Sequence, residues 1–267
     1  MPDLIAKTMP FLRLPRPGPA LAGAKLPGLV IALGSMLLIW HLGAMAVLPW
    51  IPAPADTAVE IWANLQSAEF WHDFRLTLAR VLGAFALATL LGAAIGILIG
   101  LSERAEAFFQ PLLALALAVP DPVYIIFAIL AFGTGETAGF VALTVAVAPF
   151  VSNIVRSSVH ARDRGLDEMA RIYRLPRSAF LRESLLPQLV PALLTAARFS
   201  FALSWKLAVV VEAIGQPDGI GASIFESFRL LRMREVAATA IIFILAMQLL
   251  ERGLLGRLEK RLLRWRA

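Results

Sequence analysis

Three ionisable residues interrupt otherwise apolar runs: Asp121 in AVPDPVY, and Lys206 and Glu212 in SWKLAVVVE. A charge at hydrocarbon depth is costly and ordinarily faces water, a solute or a partner charge. Asp121 stands between Pro120 and Pro122. The N–H donors those prolines lack interrupt a helix, and broken backbone at that depth is tolerated only where protein covers it or water reaches it. Counting helical rise, Lys206 stands about 22 Å above Pro191, and Asp121 at a comparable height above Phe109. The two are therefore expected to approach one another or to share an aqueous cavity, and Asp121, Lys206 and Glu212 together are the expected lining of a solute path. Glu212, near the end of its apolar run, fits an outer gate or a solvated interfacial group. Arg80, near the start of another run, is accounted for by snorkelling to headgroups.

A second chemical feature is the stretch RDRGLDEMARIYRLPRSAFLRE, residues 162–183, dense in charge between apolar neighbours. Other chemistries lack their residues. There is no cysteine, so thiolate metal sites and thiol nucleophiles are excluded, and His41, His72 and His160 have no ligand spacing. No G-x-x-x-x-G-K-[ST] occurs, so nucleotide phosphates have no cradle of that kind. A net charge of +6 could point to nucleic acid, but the basic residues fall between apolar segments and at the ends, with no aromatic-interleaved basic face.

The elements that must position these residues are membrane helices. The 267 residues are 59% hydrophobic and 16% charged, with a mean hydropathy of +0.75, which belongs to a membrane protein. Apolar runs at about 28–48, 78–101, 110–132, 137–158, 189–213 and 236–253 each approach the roughly 20 residues that cross a hydrocarbon core. The fold expected is all-α and polytopic, with six crossings from 28 to 255, a charged loop at about 162–187, and tails at 1–27 and 256–267. Lys7, Arg13, Arg16, Lys25, Arg104, the charged loop and the basic C-terminal tail all fall on one side. By the positive-inside rule that side, with both termini, is cytoplasmic. Gly92, Gly96 and Gly100 recur every four residues and offer a face for close helix approach. Ile224, Phe228 and Leu231 are spaced as one face of an amphipathic helix on the opposite surface.

Within the charged loop, Glu168, Met169 and Ala170 are followed at a fixed distance by Leu186 and Pro187. This resembles the EAA loop of permease subunits of binding-protein-dependent ABC importers, whose pattern is E-A-A, three residues, G, nine residues, I-x-L-P. The departures are Met169, Arg174 at the glycine and Ser184 at the isoleucine; Pro176 could supply the break instead. The segments FRLTLARVLGAFALATLLGAAIGILIG and FSFALSWKLAVVVEAIGQPDGIG are similar to the nitrate, sulfonate and taurine branch of that family. The resemblance runs from about residue 60 to the C-terminus.

It implies a transport subunit of a bacterial inner membrane that is not itself an enzyme and carries no cofactor. ATP would be bound by a separate ATPase gripping the loop through Glu168, Ala170, Arg171 and Arg174. A second permease chain, expected as a homodimer, and a periplasmic binding protein delivering a small anion complete the implied set of partners. The alternatives are the same architecture with altered coupling, as Arg174 would indicate, or an ATPase-independent channel or scaffold.

Overall fold

The computed structural model describes residues 25–46, 50–257 and 261. Apart from Lys25–Pro27, Gly256, Arg257 and Arg261, the expected tails fall outside the described residues. The chain divides into two compact units, Met1–Asp56 and Thr57–Ala267. The first holds α1 (Lys25–Ala46), a helix of Leu, Ile, Val and Met whose large side chains, among them Ile31, Met36, Ile39 and Met45, are exposed around its circumference. Such an all-round apolar helix is built for lipid or for cover by protein. Trp40 Nε1 donates to the Pro52 carbonyl at 3.1 Å.

The second unit carries the bundle. α2 (Pro54–Gln66), which enters it from Thr57, meets α10 through Asn64 Nδ2, which donates to Thr239 Oγ1 at 3.1 Å. Ser67 then caps α3 (Ala68–Leu101), its hydroxyl accepting the Phe70 N–H. At 34 residues, α3 is about 50 Å long and outreaches the bilayer core. It packs lengthwise against α6 (Glu136–His160). Gly92, Gly96 and Gly100 face α6 so closely that a Cβ on Gly96 would sit 2.6 Å from the Ser152 carbonyl oxygen, and one on Gly100 2.6 Å from Val159 Cβ. The contact has no room for side chains on α3, the arrangement that dispersion favours where lipid supplies no hydrophobic drive.

Between them run α4 (Glu103–Ala118) and α5 (Asp121–Phe132), one apolar stretch broken at Val119–Pro120 and bent by 99°. The break falls where Pro120 and Pro122 withdraw their donors, and Tyr124 Oη braces it by donating to the Ala116 carbonyl at 2.6 Å.

After α7 (Arg164–Ile172), one helical turn at Arg177–Ala179 and a π-helical segment at Phe180–Leu185 lead into α8 (Leu186–Gly215). α8 is central: Phe201, Trp205 and Ala208 are buried against α3, α6 and α10, and Thr89 and Ser200 share a hydroxyl hydrogen bond of 3.0 Å. α9 (Ile220–Arg229) and α10 (Met233–Leu250) close the unit, with the Trp205 ring stacked on Phe243 at 4.5 Å between centroids.

Among the described residues, four helical segments are long and apolar enough to cross a membrane, or five if the bent pair counts as one span. The expected six is not reached by length and composition among the described residues. The described apolar part of α1, Val30–Ala46, is shorter than these, and the third expected span is the bent pair, interrupted at its prolines as the sequence implies. The amphipathic face expected through Leu231 also ends early. Leu231 has φ 60, and Arg232 N–H closes onto the Ser227 carbonyl, so α9 stops at Arg229. Its buried side is Ile220 and Gly221, while Phe228 is exposed.

Candidate functional site

The charged loop is a short helix held rigidly to the bundle. Asp163 Oδ1 accepts the Gly165 N–H at 2.8 Å, capping α7 as short polar side chains do, and Asp163 N–H donates to Gln188 Oε1 of α8 at 2.9 Å. Arg162 ties the end of α6 to α7, donating to Asp167 Oδ2 at 2.8 Å and to the Val159 carbonyl at 2.8 Å.

Ala170 is buried, whereas Glu168 and Met169 are exposed beside Ile172 (78% exposed) and Tyr173 (75%). The side chain of Arg171 lies outside those described. Arg174 occupies the glycine position of the EAA pattern with φ 51, and the Leu175 N–H reaches back to the Ala170 carbonyl at 2.9 Å. That is the left-handed helix terminus which glycine adopts without cost. The turn is thus kept by Arg174 itself. Downstream, Leu186 and Pro187 are exposed while Leu185 and Leu189 fill the core.

At the opposite end of the bundle an ion cluster ties three helices together. Arg80 of α3 is 7% exposed and does not snorkel. Its Nε donates to Glu136 Oε2 at 2.9 Å, its Nη2 pairs with Glu136 and Asp218, and its Nη1 donates to Glu212 Oε1 at 2.9 Å and to the Asp218 carbonyl at 3.0 Å. Glu212 is enclosed rather than solvated. Its side chain is fully enclosed, and its second oxygen accepts from Thr77 Oγ1 at 2.9 Å and from the Gly221 N–H at 2.8 Å. Thr77 Oγ1 in turn accepts the Ile220 N–H at 2.9 Å. Gly219, with φ 102, passes so close that a Cβ there would meet Glu212 Cδ at 2.6 Å. Every polar atom of this buried knot thereby finds a partner, which its burial demands.

Of the remaining expected path residues, Asp121 begins α5 half-buried and Lys206 is exposed on α8. They form no ion pair with each other among the described residues.

The family described as binding-protein-dependent transport system inner membrane component matches residues 88–264. The chain belongs to this family. A Bacillus subtilis (strain 168) protein named as an aliphatic sulfonates transport permease is 28% identical over 91% of this chain and 87% of its own length. The taurine transport system permease protein of Escherichia coli (strain K12) is 29% identical over 76% of this chain and 73% of that one. Permeases named for nitrate, bicarbonate and riboflavin match as well. The MetNI methionine ABC transporter in an inward-facing conformation shares the fold, with a TM-score of 0.62 at 19% identity over 70% of this chain and 92% of that one.

The binding-protein-dependent permease is therefore the membrane-spanning subunit of an ABC importer, a multi-pass inner membrane component and not an enzyme; nucleotide binding rests with a separate ATPase. Its charged loop was visible in the sequence as a pattern. The Arg80 cluster was not, because its members are 56, 132 and 138 residues apart along the chain. The one signal was a pair of opposite charges, Arg80 near the start of one apolar run and Glu212 near the end of another.

Proposed function

We propose that this permease imports a small anion, such as a sulfonate, taurine or nitrate, delivered by a periplasmic binding protein, through a path formed with a second copy of the chain. Both termini and the 162–187 loop face the cytoplasm, and the chain crosses six times, counting α1 and the bent α4–α5 pair as one crossing each. The observation that carries the coupling reading is α7. It presents Glu168, Met169, Ile172 and Tyr173 outward while Ala170 and the Asp163–Gln188 bond fix it to α8. A knob on so short a lever transmits motion from a soluble motor into a helix that runs through the bundle. The glycine-like conformation of Arg174 supports ordinary coupling over the altered form.

The anionic cargo is supported by relatives named for sulfonates, taurine, nitrate and bicarbonate. Lys206 and Asp121 are the path residues this reading retains. The test is reconstitution with the cognate ATPase and binding protein in proteoliposomes. Expected are ATP-dependent uptake of one of these anions, and loss of ATPase co-purification from Ile172→Asp with Tyr173→Asp while the permease stays folded. An intact ATPase complex in that variant refutes the docking role, and import of riboflavin alone refutes the anion.

A further inference from the structure

At the loop end of the bundle one carboxylate joins α4 to α6. Ser102 already closes the start of α4, its hydroxyl accepting the Ala105 N–H at 3.3 Å and its carbonyl the Glu106 N–H at 2.8 Å. The Glu106 side chain is therefore not needed as a cap. It reaches across to α6, where its Oε1 accepts from Arg156 Nη1 at 2.9 Å and stands 3.2 Å from His160 Nε2. Arg156 Nη2 donates in turn to Asn153 Oδ1 at 3.3 Å. Of the sixteen residues of α4, Leu113 is the one that is buried, so packing fastens this helix at one point further along.

Arg156 stands on a firm base. A Cβ on Gly96 would come within 3.2 Å of the Arg156 nitrogen, and one on Gly100 within 3.3 Å of its carbonyl oxygen, so this turn of α6 lies against the backbone of α3. Just past His160, Arg162 donates to the Val159 carbonyl and to Asp167 of α7. The final turns of α6 thus hold α7 through Arg162 and α4 through Glu106.

We propose that Glu106 is a positioning residue for ATP-coupled transport: its pairing with Arg156 and His160 makes α4, and the bent α4–α5 pair it begins, follow the end of α6 when α7 is moved. The proposal rests on the coupling reading above. Energetic coupling between distant sites is carried by contiguous ion pairs and rigid elements. Here the contacts run from Asp167 through Arg162 and the Val159 carbonyl to Arg156 and His160, and from these to Glu106. α3 and α6 are locked along their glycine contact and need no such tether, whereas α4 does. The Glu106 and Arg156 side chains are 24% and 20% exposed, so their pair adds little to stability and its loss leaves the fold intact.

The experiment uses the full complex with its ATPase and binding protein in proteoliposomes, with nitrate, taurine, ethanesulfonate and bicarbonate as probes, and measures uptake and ATP hydrolysis together. Glu106→Ala is expected to cut uptake per ATP hydrolysed at least fivefold. The ATPase should still co-purify, with hydrolysis within about twofold and the unfolding midpoint within about 3 °C of the unaltered complex. Arg156→Ala should cut the same ratio at least threefold, His160 keeping part of the tether. Added to Glu106→Ala it should cost less than a further twofold, because both contacts are already gone. If Glu106→Ala fails to assemble, Glu106→Leu takes its place. A nitroxide on Ala114→Cys, exposed on α4 in a chain with no cysteine of its own, reads the tether whichever solute is carried. Its motion should change when a non-hydrolysable ATP analogue binds the otherwise unaltered complex, and should not change with Glu106→Ala.

Uptake per ATP within twofold of the unaltered complex in Glu106→Ala overturns the proposal. So does hydrolysis lost in proportion to uptake, losses that multiply in the double variant, or a label that responds equally, or not at all, in both backgrounds. An ATPase retained by Ile172→Asp with Tyr173→Asp counts instead against the coupling reading itself.

Discussion

Removing the Arg80 guanidinium is the sharpest perturbation the structure offers. In Arg80→Met the apolar volume is roughly kept, but Glu212 loses the one cation paired with it among the described residues. Its side chain is fully enclosed, and only the Thr77 hydroxyl and the Gly221 N–H still solvate its charge. Breaking a buried pair by deleting one partner costs about 3–5 kcal/mol, most of it the uncompensated charge left behind. Glu136 is 63% exposed and regains water, adding at most about 1 kcal/mol. A loss on this scale lowers the unfolding midpoint of a chain this size by on the order of 10 °C.

The assay is thermal unfolding of the purified permease in detergent, followed by size-exclusion recovery. Because the penalty is charge without a partner, Glu212→Gln in the Arg80→Met background should restore about half of the loss or more, since a neutral amide still bonds Thr77 and Gly221. Glu212→Gln alone should cost less than Arg80→Met, as Arg80 keeps Glu136 and Asp218. A midpoint for Arg80→Met within 2 °C of the unaltered protein would refute the reasoning. So would a double variant less stable than Arg80→Met alone.

Three other substitutions test the packing and the loop. Arg174→Gly relieves a left-handed backbone that costs a side-chain-bearing residue about 1 kcal/mol, so amide exchange of Tyr173–Leu175 should slow and the loop should resist proteolysis longer. Gly96→Val forces a side chain against the Ser152 carbonyl and Val155, parting α3 from α6 at about 3 kcal/mol, read as a lowered unfolding midpoint; Gly34→Ala, where a Cβ meets nothing within 4 Å, should leave the midpoint unchanged or raised.

What the sequence determined by itself is whatever local pattern and the bilayer dictate. Apolar runs longer than a soluble core tolerates select membrane helices. Pro120 and Pro122 break one of them wherever it packs, and a glycine every fourth residue makes a helix face that only another backbone can approach. The 162–187 loop was legible because its spacing lies within one short stretch, where neighbours in sequence are neighbours in space. Its glycine position misled only as to cause, since Arg174 takes the backbone conformation that Pro176 was expected to supply by a break.

The tertiary structure alone decided where charges find their partners. Arg80 read in isolation is a long side chain near a membrane edge, and Glu212 a carboxylate near another. Nothing along one chain says that α3 and α8 place them at the same height and in contact. The cost of an unpaired charge in a low-dielectric interior applies at a point in space. Only the packing that brings Arg80, Glu136, Glu212 and Asp218 to that point turns four separate liabilities into one satisfied cluster.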